Sequence, residues 1–554
     1  MSSQFTSEEK TYRWRVTAVS VILFVLLFVV YFIYHQNTQL IAFDNTTMFP
    51  IMIDFFNGNY LMKNWIVSTS SFMFTDNVWF IPGLLLGVHV PTLMSFCGAL
   101  FHAGFVAIML YLILRDEKKH MAGTLYAVIV AALYLMLFAV IPCAGYTMEN
   151  PLYLYLNLNE HAGTFLFVIV EILLLYLWRD SQYKRKIYPI LFTVYGLLGQ
   201  MSDSMPLMVF FGPLCVYCAY FLIWPNVERN RKKDMFLIAD SVLIVVLSSL
   251  INKIVSYYGG LTILGVSMGV NSPHQIAVNI KTVMIKMLLL FGYDTKYGIS
   301  ITPYVVIVCL IIGLIAVSVL YQIILAIKSG PDRLGLLLSL GIISNLIGII
   351  CIDTGGDAAS RYILTVPFFG TALVVKFAAS FGSRFKISGR CLLGFMLIIS
   401  VGYSVKNITE LAKVPNYGKD GEALAQYLEQ RHVSVGYGGY WVSTVISSYT
   451  DFDTLIVPVR WDGEGVGFYH RDVLVNTEWY ENRDIHYLVI QSDEGDLYSY
   501  DARRSDFIKF AGEPDEDVVF GIYEVLYYER DLSVYSITNA MNSGTDIYEI
   551  INAG

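Results

Sequence analysis

The chain has 554 residues, 56% of them hydrophobic and only 15% charged, with a mean hydropathy of +0.56. So much apolar sequence excludes a soluble globular protein and points to the membrane. The net charge of −8 hides two opposite parts: residues 1–405 carry 26 Lys and Arg against 19 Asp and Glu, and residues 406–554 carry 11 against 26. An acidic region of that kind lacks the cations that phosphate contacts require, which excludes nucleic acid as a partner.

Taken in chain order, about eleven apolar segments occupy residues 1–405, each near the ~20 residues that a membrane crossing needs. The first, Val16–Tyr34, follows Lys10, Arg13 and Arg15 and has no small-residue cleavage site, so it reads as an anchor. A long loop, 35–80, contains Met48–Met62, which reads as a helix in the membrane interface. Helix two ends at Arg115, and helix three ends near Ile141. Helix four opens near His161 and closes before Arg179. Helix five starts near Ile187, is short, and breaks at Gln200–Ser204. Helix six spans Pro206–Trp224 and helix seven Met235–Tyr257.

The segment Gln275–Phe291 admits two readings, a crossing or a surface helix. Asn279, Thr282 and Lys286 share one helical face, the surface pattern. Lying flat, it also puts Lys328, Arg333, Arg384, Lys386 and Arg390 on the basic side, so the flat reading is adopted. Helices eight (Thr302–Ile327), nine (Leu334–Ile352), ten (Ser360–Ser380) and eleven (Cys391–Val405) then alternate; ten or twelve crossings are the alternatives. With this count about 19 Lys and Arg near helix ends lie on one side and about four on the other. Basic loops stay in the cytoplasm, so the N-terminus is expected inside and residues 406–554 outside.

The tail alternates helix and strand: a helix at Lys419–Arg431, strands at Val433–Tyr437, Thr454–Val459 and His486–Gln491, helices at Tyr440–Ser448 and Asp501–Phe510, and a strand pair or one long edge strand at Val518–Tyr528. That pattern predicts a small α/β domain. The fold class expected is therefore a polytopic α-helical membrane protein with about 11 crossings (1–405) and a C-terminal extracytoplasmic α/β domain (406–554). All seven Cys lie in or beside apolar helices. The Cys215/Cys218 pair sits inside one and reads as buried small hydrophobes rather than a redox or metal motif.

The residues that could carry chemistry gather at the outer helix ends. Asp44 follows helix one directly, where a carboxylate could activate a hydroxyl; the bland reading is a loop or capping Asp. Glu160 and His161 open helix four after an aromatic run containing Tyr153 and Tyr155. Such a pair transfers protons or binds a divalent metal, or merely complements a helix N-terminus. Asp203 lies in the turn before helix six, at a depth where a carboxylate is costly and faces a cavity, or else is an ordinary exposed turn. Arg361 breaks the charge rule at an outer helix end: it grips a phosphate with its planar fork, or pairs with Asp353 or Asp357. Tyr440, Trp441, Trp461, Tyr469, His470 and Arg471 crowd one part of the tail, as a small core or a sugar-stacking surface.

This arrangement resembles the GT-C superfamily of multi-pass membrane glycosyltransferases. The likeness rests on Asp44 in a long first loop, Asn159-Glu160-His161-Ala162-Gly163, Ser202-Asp203-Ser204-Met205-Pro206, Ser360-Arg361-Tyr362, and Val435-Gly436-Tyr437-Gly438-Gly439-Tyr440-Trp441. Together these cover most of the chain, each as a short motif. Where that family often carries two adjacent acids in its first loop, this chain has Asn45.

The resemblance implies a polyprenyl-phosphate-linked sugar as donor and a glycan, lipid or protein acceptor on the outer face of the bilayer. Asp44, Glu160 and His161 would be catalytic, with a divalent metal as a candidate cofactor on the same three residues. Arg361, Asp203, Tyr153 and Tyr155 would bind substrate. Two other classes stay open: a non-catalytic envelope protein with a glycan-binding outer domain, and a transporter of lipid-linked glycans. The few mid-helix charges, chiefly Glu171 and Asp240, and the absence of half-to-half symmetry count against the transporter.

Overall fold

The computed structural model describes residues 7–38, 46–68, 70–116, 161–223, 231–264, 269–291, 293, 303–329, 333–353, 360–384, 391, 394, 398, 416, 418–440, 442–461, 468–470, 474–481, 483–491 and 504–537. Six helices among them are long and apolar enough to cross a membrane: Trp14–Ile33, Val90–Arg115, Ala162–Asp180, Arg231–Tyr257, Val308–Lys328 and Leu334–Cys351. These are the helices of an integral membrane protein. Shorter apolar helices cover Ile187–Ser202, Leu207–Ile223 and Thr365–Ala378.

The full elements are α1 (Ser7–Thr38), α2 (Met48–Phe56), α3 (Val90–Asp116), α4 (Ala162–Asp180), α5 (Ile187–Ser202), α6 (Gly212–Ile223), α7 (Arg231–Tyr257), α8 (Pro273–Leu290), α9 (Pro303–Ser329), α10 (Arg333–Cys351) and α11 (Thr365–Arg384). A π-helical turn, Leu207–Phe211, precedes α6, and a 3-10 turn, Ser360–Ile363, precedes α11. α1 packs on α3, α3 on α4, α4 on α5 and α5 on α7; α6 links α7 to α10, and α9, α10 and α11 pack on one another. The faces left outward are apolar, with Val21, Ile22, Val25 and Leu26 on α1 and Val242, Leu243 and Val246 on α7 exposed, as hydrocarbon solvent allows. Close approach inside the bundle depends on small residues. A Cβ on Gly199 of α5 would lie 2.2 Å from the Phe167 ring of α4.

The two ends of the bundle differ in charge. At one end Arg115 of α3 pairs with Asp180 of α4, and Lys233 lies 4.8 Å from the Trp178 ring centroid and 4.5 Å from that of Tyr183. Asp76 and Asp203 lie at the other end, where Asp451 of the C-terminal domain bonds the start of α3.

That domain has α12 (Gly418–Gln430), α13 (Ser443–Tyr449) and α14 (Arg504–Ala511) around a seven-stranded mixed sheet. Its strand order is β10 (Glu516–Phe520), β11 (Tyr523–Tyr527), β9 (Tyr487–Gln491), β5 (Val435–Gly438), β6 (Leu455–Trp461), β7 (Phe468–His470) and β12 (Ser536–Ile537). β5 runs parallel to both β6 and β9. Val518–Tyr528 resolves into the antiparallel pair β10–β11. One face of the sheet packs Leu424, Leu428, Val445 and Ile446 from α12 and α13. The other packs Phe507 of α14 and then Ile51, Trp65, Val67 and Leu261 from the membrane region.

Three expectations change here. The helix at Met48–Met62 stops at Phe56, because Asn57 and Gly58, the latter at φ +106°, end it and Asn59 donates to Asp54 at 2.6 Å. Residues 65–67 form a strand instead, β1 (Trp65–Val67), paired with β2 (Thr262–Ile263) and with β8 (Val475–Asn476) of the tail. The Asn279 face of α8 is buried rather than solvated: Asn279 donates to the Ile350 carbonyl at 3.2 Å, satisfying the C-terminus of α10, while Val278, Ile280 and Met284 face outward. Helices three and eleven of the sequence reading lie almost wholly outside the described residues.

The C-terminal domain is clasped to the bundle. Thr46 and Thr444 share a hydrogen bond at 2.7 Å, and Asn64 donates to Glu478 at 2.6 Å. Asp451 accepts from the Val90 N–H at 2.8 Å and pairs with His89 at 2.8 Å. The hydrogen bond that His89 donates to Asp451 raises the His89 pKa above 6.5. Burial pushes Asp451 up, but the bonds from His89 and Val90 prevail and hold it below 3.8. His89 therefore contributes at low pH and loses its contribution as pH rises through its raised value. Asp451 contributes above 3.8 and loses it as pH falls through its lowered value. Amide protection of residues 443–451, with the intrinsic base catalysis of exchange divided out, should be greatest between pH about 4 and 6.5. In Asp451→Asn it should be lower, without that maximum; wild-type protection that does not change with pH would contradict the clasp.

Candidate functional site

Asp203 caps the C-terminus of α5 in an extended conformation, which turns its carboxylate back into the bundle, where it is buried. Four donors meet it. His161 Nδ1 lies 2.7 Å from Oδ2, and the Thr164 hydroxyl donates to the same oxygen. The Ser70 hydroxyl at 3.3 Å and the Met205 N–H at 2.9 Å reach Oδ1. Burial pushes the Asp203 pKa up, but the facing His161 and these hydrogen bonds outweigh it and hold the group below the usual carboxylate range. Asp203 is thus an anion that fixes the His161 ring through Nδ1, and any proton transfer by this imidazole runs through Nε2.

The first loop folds over this pair. The Ser71 and Phe72 N–H groups donate to the Ser202 carbonyl at 3.0 and 3.1 Å, and the Phe74 N–H donates to the Ser202 hydroxyl at 2.6 Å. Asp76 is thereby buried against the start of α4, where its Oδ1 accepts from the Gly163 N–H at 2.6 Å. Its Oδ2 is buried with no well-aligned partner among the described residues. Burial, with the Asp203 charge adding, raises the Asp76 pKa to about 7 against the pull of Thr75, Gly163 and His161. Near neutral pH this carboxyl divides between acid and base forms.

Two residues here hold left-handed backbone, His161 at φ +74° and Phe72 at φ +52°. Each such conformation costs on the order of 1–3 kcal/mol and persists where the surroundings fix it. Their rings touch edge to face at 5.2 Å. On its other side His161 meets Tyr362 at 5.4 Å, which brings the Ser360–Ile363 turn, and so the backbone of Arg361, to the same place.

His161 and Asp203 are thus brought into contact from 42 positions apart. The side chain of Arg361 lies outside the described residues, as do Asp44, Glu160, Tyr153 and Tyr155. Among the described residues no group of three His, Cys, Asp or Glu is arranged to hold a metal ion. In the tail, His470 stacks on Tyr480 at 4.1 Å and Tyr440 packs against the core, while the side chains of Trp441, Trp461, Tyr469 and Arg471 lie outside the described residues. Cys215 and Cys218 are free thiols in α6. Sequence reasoning missed Asp76, Ser70 and Thr164 as site residues. No local pattern marks any of the three, since their burial and pairing come from the fold. No known protein-family model matches the chain, and no curated protein is significantly similar to it.

The packing of the loop on α4 is steric as well as polar. A Cβ on Gly163 would fall 2.2 Å from the Thr75 carbonyl oxygen and 2.7 Å from Asp76 Cγ, neither of which can yield without moving the loop. Gly163→Ala should cost about 1–3 kcal/mol by overpacking. Gly313→Ala, where nothing lies within 4 Å of the new methyl, should be neutral or mildly stabilising. Thermal unfolding of the two variants in detergent micelles checks the difference; equal midpoints would contradict the packing.

Proposed function

We infer that the protein is a membrane glycosyltransferase of GT-C type, moving a sugar from a polyprenyl-phosphate donor to an envelope glycan, lipid or protein acceptor at the outer face. The observation that carries this reading is the buried Asp203–His161 pair with Asp76 buried beside it, at the helix ends that meet the Ser360–Ile363 turn. Buried acid–base groups of this kind at one end of a bundle suit proton transfer to and from a hydroxyl acceptor.

In the proposed reaction a carboxylate base, Asp44, takes the acceptor hydroxyl proton. The acceptor oxygen bonds to the anomeric carbon, and the bond from that carbon to the lipid phosphate oxygen breaks with inversion. The phosphate leaves with the electron pair, its charge met by Arg361. His161, fixed by Asp203, and Asp76 orient the acceptor and carry protons away. Glu160, Tyr153 and Tyr155 complete the donor pocket, with a divalent metal as a further candidate at the phosphate.

The proposed topology has eleven crossings, with the basic bundle end cytoplasmic and the C-terminal domain extracytoplasmic. A reporter fused after Gly554 should then be active only outside the cytoplasm; cytoplasmic activity would reverse the assignment.

Envelope glycan profiling tests the activity in cells where deletion of the protein alters the profile. Asp44→Asn and His161→Gln should each insert normally yet lower transfer by roughly 10²-fold, the scale of losing an acid–base group. Arg361→Lys should weaken donor affinity while keeping the charge. Wild-type profiles from both Asp44→Asn and His161→Gln would reject catalysis and favour a non-catalytic glycan-binding protein.

A further inference from the structure

Below the outer site, α4, α5 and α7 enclose two carboxyl groups that the proposed reaction does not use. Glu171, the tenth residue of the 19-residue α4, is fully buried, and neither of its carboxyl oxygens has a hydrogen-bond partner among the described residues. It packs against Gly196 of α5, where a Cβ would lie 3.5 Å from Glu171 Oε1. Ile244 of α7 and Phe211 pack closely on the same point, at 2.9 and 3.2 Å from that Cβ position. One turn away on α5, the Thr193 hydroxyl donates to Asp240 Oδ2 of α7 at 2.9 Å. The Glu171 and Asp240 carboxyls feel each other electrostatically, and the Tyr195 phenol is within the field of both Glu171 and Asp76.

Among the described residues a charged carboxylate here has neither a cation nor a donor to compensate it, which is costly inside a membrane bundle. Acidic side chains in such positions face a protein interior for a reason, and a neighbouring second carboxyl sharpens the cost of ionising both. Without a side chain at Gly196, α5 packs directly against the Glu171 carboxyl, and Tyr195, the preceding residue, is close enough to feel both Glu171 and Asp76.

We propose that Glu171 is a proton-binding site inside the membrane, a carboxylic acid whose hydrogen exchanges with water through the Tyr195 side of α5. The ligand is the proton itself, and the site is independent of which reaction the outer cluster performs. It makes the bundle a proton-holding device as well as a scaffold.

Infrared spectroscopy of the full-length protein in phosphatidylcholine vesicles reads this directly. The wild type minus Glu171→Gln difference should contain one carboxylic acid C=O stretching band, and that band should move to lower frequency in D2O. No such band in the difference, or a band that D2O leaves in place, would overturn the proposal. Labelling of the wild-type protein needs no variant. Lipid-soluble dicyclohexylcarbodiimide adds across its C=N bond to a protonated carboxyl, and O-to-N acyl migration leaves a stable N-acylurea. Peptide mass mapping should find this adduct on Glu171, and a water-soluble carbodiimide should leave Glu171 unmodified. An unmodified Glu171 after both reagents, or equal modification by both, would overturn the assignment of a proton site within the membrane.

Discussion

The buried Asp203 carboxylate organises the acidic end of the bundle. Its four donors come from three places in the chain: Ser70 in the first loop, His161 and Thr164 at the start of α4, and Met205 just before α6. A buried anion is tolerable only with such partners, and removing one leaves a charge in a medium that cannot solvate it. The three segments are therefore held in one arrangement by a single group. That arrangement sets the His161 ring, and the loop it fixes carries Asp76 onto the N-terminus of α4.

The C-terminal domain is tied into the same construction. Its sheet is completed on one face by Ile51, Trp65, Val67 and Leu261, so its core does not end at residue 406. β1 of the first loop pairs with β8 of the tail, and the strand lies only a few residues before Ser70. A ligand that moved the tail would pull on the loop that positions Asp76. Hydrophobic burial across this junction and the Asp203 hydrogen bonds act on opposite ends of one short segment, residues 65–76.

Much of the helical framework was legible in the sequence. Apolar runs of spanning length need no tertiary context, so α3, α4, α7, α9 and α10 fall where hydropathy puts them. The break at Gln200–Ser204 was legible because polar residues before Pro206 interrupt an apolar run. The tail's strands β5, β6 and β9 were legible from alternation, and the β10–β11 region was legible as a pair or one long strand; the short β7, β8 and β12 were not. What stayed hidden depends on long-range pairing. β1 is three residues long and is a strand only because β2 and β8 flank it. The polar face of α8 looked solvated because the carbonyls that Asn279 satisfies are about 70 residues away. Asp203 and His161 were singled out separately by depth and by chemistry, but nothing local says that they touch. Asp76 could not be weighed at all, since its burial comes from a loop folding onto Gly163.

The most direct test of the account is a cryo-electron microscopy structure of the protein in nanodiscs with a polyprenyl-phosphate sugar. The account predicts the sugar and phosphate in contact with His161 and Asp76, beside Tyr362, with Asp203 still hydrogen-bonded to His161. A headgroup bound away from this cluster, or an Asp203 no longer bonded to His161 in the bound state, would contradict it.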